Sequence, residues 1–288
     1  MADEARVFPP PTDRPLPDFS DPPVAEVVLS VSFEPVAGLR VVQLGDLWKT
    51  RFADRFPRVE EQPPWEAPIE RFGQFAGGPT ISFQALQVPP LPRLWFVDER
   101  GTELVQAQSN WFARNWRKTD EDPDYPRYPK LRAPFRKDLK SFVDFVSQNK
   151  LGEWVPNQCE VTYVNHVDVG EVRGNHGELY GVLALAAKPK DPFLPTPEAM
   201  TVSSQYVLTD TSGGPVGRLY VHAQPGFRRG DGAPLVILTI TARGRPSGPS
   251  INDVTKFLDR ARESVVRGFA AVTTKAMHKV WGRTDAAS

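Results

Sequence analysis

The chain has a single cysteine, Cys159, so no disulfide can close within it, which matches a reducing cytoplasm. It has no excess of either charge: Lys+Arg and Asp+Glu are 35 each, for a formal net charge of +0. Nucleic-acid binding draws on a basic excess that neutralises phosphates and releases counterions, so no nucleic-acid partner is expected. It has no apolar run near the roughly 18 residues of a membrane-spanning helix. Residues 1–20 are broken by charges and prolines where a secretion signal would carry an apolar core. The expectation is a cytoplasmic protein with no membrane contact.

Catalytic signatures are also missing. There is no G-x-x-x-x-G-K-[ST] loop, no strand followed by G-x-G-x-x-G, and no G-x-S-x-G elbow. The 4 histidines are His166, His176, His222 and His278. His166 with Asp168, and His176 with Glu178, sit at strand spacing. Two scattered pairs do not make the three or four converging ligands of a metal centre, so no metal and no cofactor is expected. Cys159 and His166 fall at opposite parity in one predicted strand and should not meet. Asp120, Glu121, Asp122 and Asp124 beside prolines read as a solvated loop.

What the chain does have is 30 prolines and 7 tryptophans in 288 residues. Prolines crowd residues 1–23, which predicts an extended, disordered tail. Residues 24–33 (VAEVVLSVSF) predict a strand. Helical spacing follows over 39–56, then a loop over 58–69 carrying Trp65. Strands are predicted at 79–87, 94–98, 102–108 and 109–117, with a hairpin turn at Asp98-Glu99-Arg100-Gly101. Leu131, Phe135, Leu139, Phe142, Val143 and Val146 form an amphipathic stripe. Pro134 is expected in that helix's first turn and Gly152 as its cap. Further strands are predicted at 159–169, 179–187, 203–209, 218–223 and 235–242. Ser250 and Asp253 then resemble a capping box that opens a helix of about 30 residues, ending near Trp281.

Strands following strands argue for an α+β class: mainly antiparallel sheet, two amphipathic helices in the N-terminal part and a long C-terminal helix. The expected divisions are a tail at 1–23, an N-terminal α+β part at 24–170, a four-strand-plus-helix part at 178–283, and a tail at 284–288. No sequence repeat links the halves.

Two surfaces stand out. Trp111, Asn115, Trp116, Arg117, Arg127 and Tyr128 combine the residue types enriched at binding hot spots. The same aromatics also suit packing beneath a hairpin. Arg228 and Arg229, flanked by Gly226, Gly230 and Gly232, form either an exposed turn or an anion-binding loop. The Arg229-Gly230-Asp231 tripeptide reads as chance.

Several strings taken together resemble a known family. They are Pro23-Val24-Ala25-Glu26-Val27-Val28-Leu29 with Phe33; Gln106, Gln108, Phe112 and Asn115-Trp116-Arg117; Tyr125-Pro126-Arg127-Tyr128; Leu238-Thr239 with Thr241 to Arg243; and Phe269, Thr273 and Trp281-Gly282-Arg283. The chain resembles a sporadically distributed, uncharacterised bacterial family of about 250 residues. The resemblance implies a prokaryotic protein with an accessory role, such as one at a mobile or defence-linked locus. It implies no reaction and no catalytic residue.

The leading expectation is therefore a non-enzymatic binding or adaptor protein with a protein partner, its C-terminal helix offering a homodimer surface. The alternatives are a small-molecule sensor or carrier with a pocket between sheet and helix, and an enzyme of unrecognised type.

Overall fold

The structure, a computed structural model, describes residues 15–66, 68–73, 91–120, 124–168, 170, 176–188, 191 and 193–285. The strands are β1 (Val24–Phe33), β2 (Arg58–Gln62), β3 (Arg93–Val97), β4 (Glu103–Gln108), β5 (Trp111–Arg117), β6 (Pro156–Asp168), β7 (Val202–Thr209), β8 (Pro215–Phe227) and β9 (Pro234–Gly244). The helices are α1 (Val41–Leu47), α2 (Tyr128–Gln148), α3 (Ile251–Val272) and α4 (Lys275–Val280). The strands form one 9-stranded antiparallel sheet in the order β2-β3-β4-β5-β1-β6-β9-β8-β7.

That order contains a repeat that the residues do not show. β1 lies beside β5, the last strand of the β3-β4-β5 meander, and α2 follows; β6 lies beside β9, the last strand of β7-β8-β9, and α3 follows. Apart from α1 and β2, the connectivity recurs without a matching recurrence of residues.

The chain divides into two compact units, one of Met1–Val27, Glu160–Arg243 and Leu258–Ser288, the other of Val28–Cys159 and Gly244–Phe257. In the second unit, strand alternation turns Phe33, Phe96 and Phe112 toward the helices. Phe112 packs on Phe135 and Phe142 of α2 at 6.1 and 5.2 Å, Phe33 on Phe142 at 5.4 Å, and Phe96 on Phe52 at 5.5 Å. Gly38 meets Leu151 so closely that a Cβ there would lie 2.5 Å from its carbonyl oxygen. The hairpin turn at residues 98–101 is present, with Gly101 at φ 70°.

In the first unit, α3 buries Leu258, Ala261, Val265 and Phe269, and β8 and β9 bury Val221, Val236, Leu238 and Ile240. The capping box opens α3 as the residues suggested: Asp253 N–H donates to Ser250 Oγ at 3.1 Å, and Ser250 N–H to the Asp253 carboxylate at 3.2 Å.

Several expectations are corrected. The first N-terminal helix is short: α1 gives way to a π-helical turn at Trp48–Phe52, with Trp48 Nε1–H donating to Phe56 O at 2.7 Å. β2 stands where a loop is expected, because its residues, RVEEQ, are exposed apart from a half-buried Gln62 and show no apolar face. Residues 179–187 are not a strand but a 3-10 turn at Leu179–Gly181 and an isolated bridge, Leu183 to Thr273. Leu179, Val182 and Leu183 are apolar because they are buried, not because they pair in the sheet.

That bridge also splits the C-terminal helix. Thr274 N–H donates to Val182 O at 3.0 Å, and Thr274 Oγ1 caps α4 by accepting from Met277 N–H, so α3 and α4 replace one continuous helix. Residues 15–23 are not loose: Phe19 is buried, and Ser20 N–H and Asp21 N–H donate to Gly282 O and Trp281 O at 2.9 and 3.1 Å. Thr284 N–H donates to Asp18 O, and Arg283 pairs with Asp285, so the expected C-terminal tail is held through residue 285. The strand expected at 79–87 lies outside the described residues.

Pro134 sits inside α2, and Pro129 occupies the first turn instead. The end of α2 is closed by Lys150, not by Gly152. Lys150 has φ 52°, its N–H donates to Ser147 O, and Leu151 N–H donates to Val146 O. This is a Schellman closure with lysine where glycine is usual. A side chain in the left-handed region costs about 1–2 kcal/mol, partly offset by the larger entropy glycine loses on folding. Lys150→Gly is therefore expected to raise the unfolding free energy by about 0.5–1 kcal/mol. Urea unfolding of the two proteins measures this, and an unchanged or lower midpoint contradicts it.

Candidate functional site

The hot-spot residues named from the sequence fall on opposite faces of β5. Trp111, Asn115 and Arg117 alternate with Phe112, Arg114 and Trp116. Phe112 packs on α2, so Trp116 belongs to the helix side. There it lies 5.7 Å from Tyr125, and the Arg127 guanidinium stands 5.7 Å from the same tyrosine ring. Tyr128 is buried as the first residue of α2. Arg127 has φ 72° and ψ 151°, a strained backbone for a residue with a side chain. Arg117 is engaged in the hairpin, its Nε donating to Gly101 O at 2.7 Å.

The other face of β3, β4 and β5 gathers residues that sequence reading passed over. Gln62 stands opposite Arg93, and Gln108 stands opposite Trp111. Trp95 stands between Glu60 and Gln106 in the neighbouring row. The Arg93 guanidinium lies 5.6 Å from the ring centres of Trp95 and Trp111 and 6.0 Å from that of Trp65. Trp65 itself lies 6.4 Å from Trp111.

This is a cation held among three indoles, and among the described residues Arg93 makes no ion pair. Burial pushes its pKa down, because the charged form loses hydration. Arg93 Nε, Trp95 Nε1 and Gln106 Oε1 are buried with no hydrogen-bond partner, and Gln106 is only 4% exposed. Its amide nitrogen is engaged, donating to Asn115 Oδ1 at 2.7 Å. Two orphan donors and one orphan acceptor thus occupy adjacent positions on one sheet face. Buried polar groups are normally paired, so this set makes the face a candidate contact point.

Over this face runs an extended stretch of the chain's own backbone. Gln108 Oε1 accepts from Trp65 N–H at 2.8 Å and Gln108 Nε2 donates to Trp65 O at 3.1 Å. One side-chain amide thus binds both main-chain groups of one residue, as a neighbouring strand would. Farther along, Gln158 Nε2 donates to Pro68 O and Gln158 Oε1 accepts from Glu70 N–H, each at 3.4 Å. Trp65 remains 43% exposed although its backbone is pinned. The available signals were Arg93 and Trp95 two apart on β3, and Gln106 and Gln108 two apart inside a strand.

The remaining candidates resolve into structural roles. The Arg228 guanidinium is committed to two carboxylates, Asp168 and Asp231, both of which raise its pKa. The loop therefore does not present Arg228 as an open anion fork, and Arg229 is exposed beside it. Cys159 is buried and its thiol pKa is pushed well up by burial, the opposite of an activated nucleophile. His166 is exposed, at the other parity of the same strand. His176 Nε2 lies 3.0 Å from Gly226 O and 3.1 Å from Leu235 O, and its ring joins Phe227 at 5.0 Å, so it closes the β8–β9 hairpin.

A chain of charges on the helix side was also missed: Arg55 pairs with Asp138 of α2, Asp138 with Arg114 of β5, and Arg114 with Glu103 of β4. Among the described residues no group of three or more His, Cys, Asp or Glu is placed to hold a metal ion. No described helix is long and apolar enough to cross a membrane. Comparison with family models, curated proteins and solved structures finds no match.

Proposed function

We propose that this is a non-catalytic adaptor that binds another polypeptide on the Trp/Arg face of β3, β4 and β5. The observation that carries the reading is the orphan set there: Arg93 Nε, Trp95 Nε1 and Gln106 Oε1, buried without partners inside a cluster of tryptophans. A peptide group supplies a carbonyl for the donors and an N–H for the acceptor. Rigid indoles with an arginine among them supply contact area at low entropic cost.

The test is selection of a random-peptide display library on the full-length protein. Enriched peptides are expected, and Arg93→Glu or Trp95→Ala should each abolish their binding while circular dichroism stays unchanged. A library that enriches nothing, or peptides indifferent to both substitutions, overturns the proposal.

A further inference from the structure

We infer that residues 65, 66 and 68–70 are a built-in, partial stand-in for the partner: the site takes an extended, proline-bearing peptide with an aromatic residue, and that peptide displaces the chain's own strap and reaches on to the atoms of Arg93, Trp95 and Gln106 that the strap leaves unpaired. The inference rests on the polypeptide-binding reading and specifies its ligand. The strap's main chain is held by two separate buried glutamine side chains, Gln108 and Gln158. These contacts read backbone, so they accept any sequence that can stay extended.

The strap's own sequence shows what suits the site. Pro63, Pro64 and Pro68 pre-set extended backbone and lower the entropy lost on docking. Trp65 completes the indole cluster around Arg93. The strap is unevenly held: Trp65 and Ile69 are 43% and 50% exposed and the Gln158 contacts are long, whereas Glu70 is 5% exposed. A tethered occupant lowers the apparent affinity of a competing peptide in proportion to the fraction of time the site is open.

The experiment measures anisotropy of a labelled peptide of this chain's residues 62–72, QPPWEAPIERF, titrated with the full-length protein. Wild type is expected to bind it weakly. Trp65→Ala, which removes the strap's anchor and leaves its place open, should bind at least about tenfold more tightly. Adding Gln108→Leu to Trp65→Ala should abolish binding, because the backbone-reading amide is gone.

If peptides from the library bind through Arg93 and Trp95, yet Trp65→Ala leaves their affinity unchanged and residues 62–72 do not compete, the stand-in inference fails while the adaptor reading stands. If folded Trp65→Ala protein binds neither the labelled peptide nor any library peptide, both fail. If oligothymidylate binds the opened site in place of peptide, the face is a single-strand platform and the inference is overturned.

Discussion

Asp138→Ala is expected to lower the unfolding free energy by about 3–5 kcal/mol, the scale for breaking a buried ion pair by removing one partner. Asp138 is 0% exposed on the inner stripe of α2, and its two carboxylate oxygens bind Arg55 and Arg114. Arg114 is only 6% exposed and lies over the Phe56 ring at 5.4 Å. Without Asp138, Arg114 keeps one acid, Glu103, which is 36% exposed and faces water. The guanidinium then stays buried with its Nη1 bond to Asp138 lost.

Asp138→Asn should recover part of the loss, because an amide oxygen still accepts from Arg114. A double replacement, Asp138→Leu with Arg114→Met, should sit much closer to wild type than the alanine variant, since it removes both desolvated charges. Urea unfolding followed by circular dichroism checks all three. An alanine variant within about 1 kcal/mol of wild type would show that the network carries no stability.

Asp138 also shows what a hydropathy pattern hides. Its position lies on the buried stripe with Leu131, Phe135, Leu139 and Phe142, and a periodicity search for apolar residues passes over a carboxylate there. The strands with one clean apolar face, such as β1 and β9, were legible almost to their ends. β2 was not, because an edge strand of exposed polar residues carries no alternation to detect. The apolar residues 179–187 misled for the converse reason: burial in a turn produces the same composition as burial in a sheet.

The candidate site was half legible. Trp111 and Asn115 lie on its face, whereas Trp116 points to the opposite face because a strand alternates its side chains, Arg117 is engaged with Gly101 O, and Arg127 and Tyr128 sit at the start of α2. Arg93 and Gln108 join Trp111 only through the register of three strands, and Gln158 comes from a fourth. Trp65 comes from a loop whose place no local pattern announces. The duplicated connectivity was equally invisible, since topology repeats here without residue identity.

Phe19→Ala is expected to cost about 3–4 kcal/mol, although proline-rich surroundings made residues 1–23 read as a tail. The Phe19 ring is 4% exposed and meets Phe269 at 5.4 Å, His278 at 5.5 Å and Trp281 at 6.2 Å, all near edge-on. Removing it opens a cavity against α3 and α4. Hydrogen exchange should show α4 amides losing protection first, because residues 18–21 tie that end of the chain. Phe19→Leu, which keeps most of the volume, should cost less than about 1.5 kcal/mol.

The same cluster gives the fold a pH dependence through His278. Thr273 Oγ1–H donates to Phe269 O at 2.6 Å, so Thr273 Oγ1 accepts from His278 Nε2–H at 2.9 Å. Nδ1 is then the bare nitrogen, and it faces Arg283 Nη1 at 3.2 Å as an acceptor. Protonation would place an N–H against a guanidinium. Burial first, and then Arg283, hold the His278 pKa below its ordinary value, against an opposing pull from Asp285.

The unfolded chain binds a proton near pH 6.5, and the folded chain binds it only at lower pH. Stability is therefore full above about pH 6.5 and falls as pH drops below it, with a slope of at most about 1.4 kcal/mol per pH unit from this group. His278→Gln, whose amide can donate to Thr273 and accept from Arg283 without titrating, should flatten that slope between pH 6.5 and 5. An unchanged slope in urea midpoints across that range would place the titration elsewhere. Phe19→Ala should flatten it too, because water admitted to the cavity restores hydration to the imidazolium and returns its pKa toward the ordinary value.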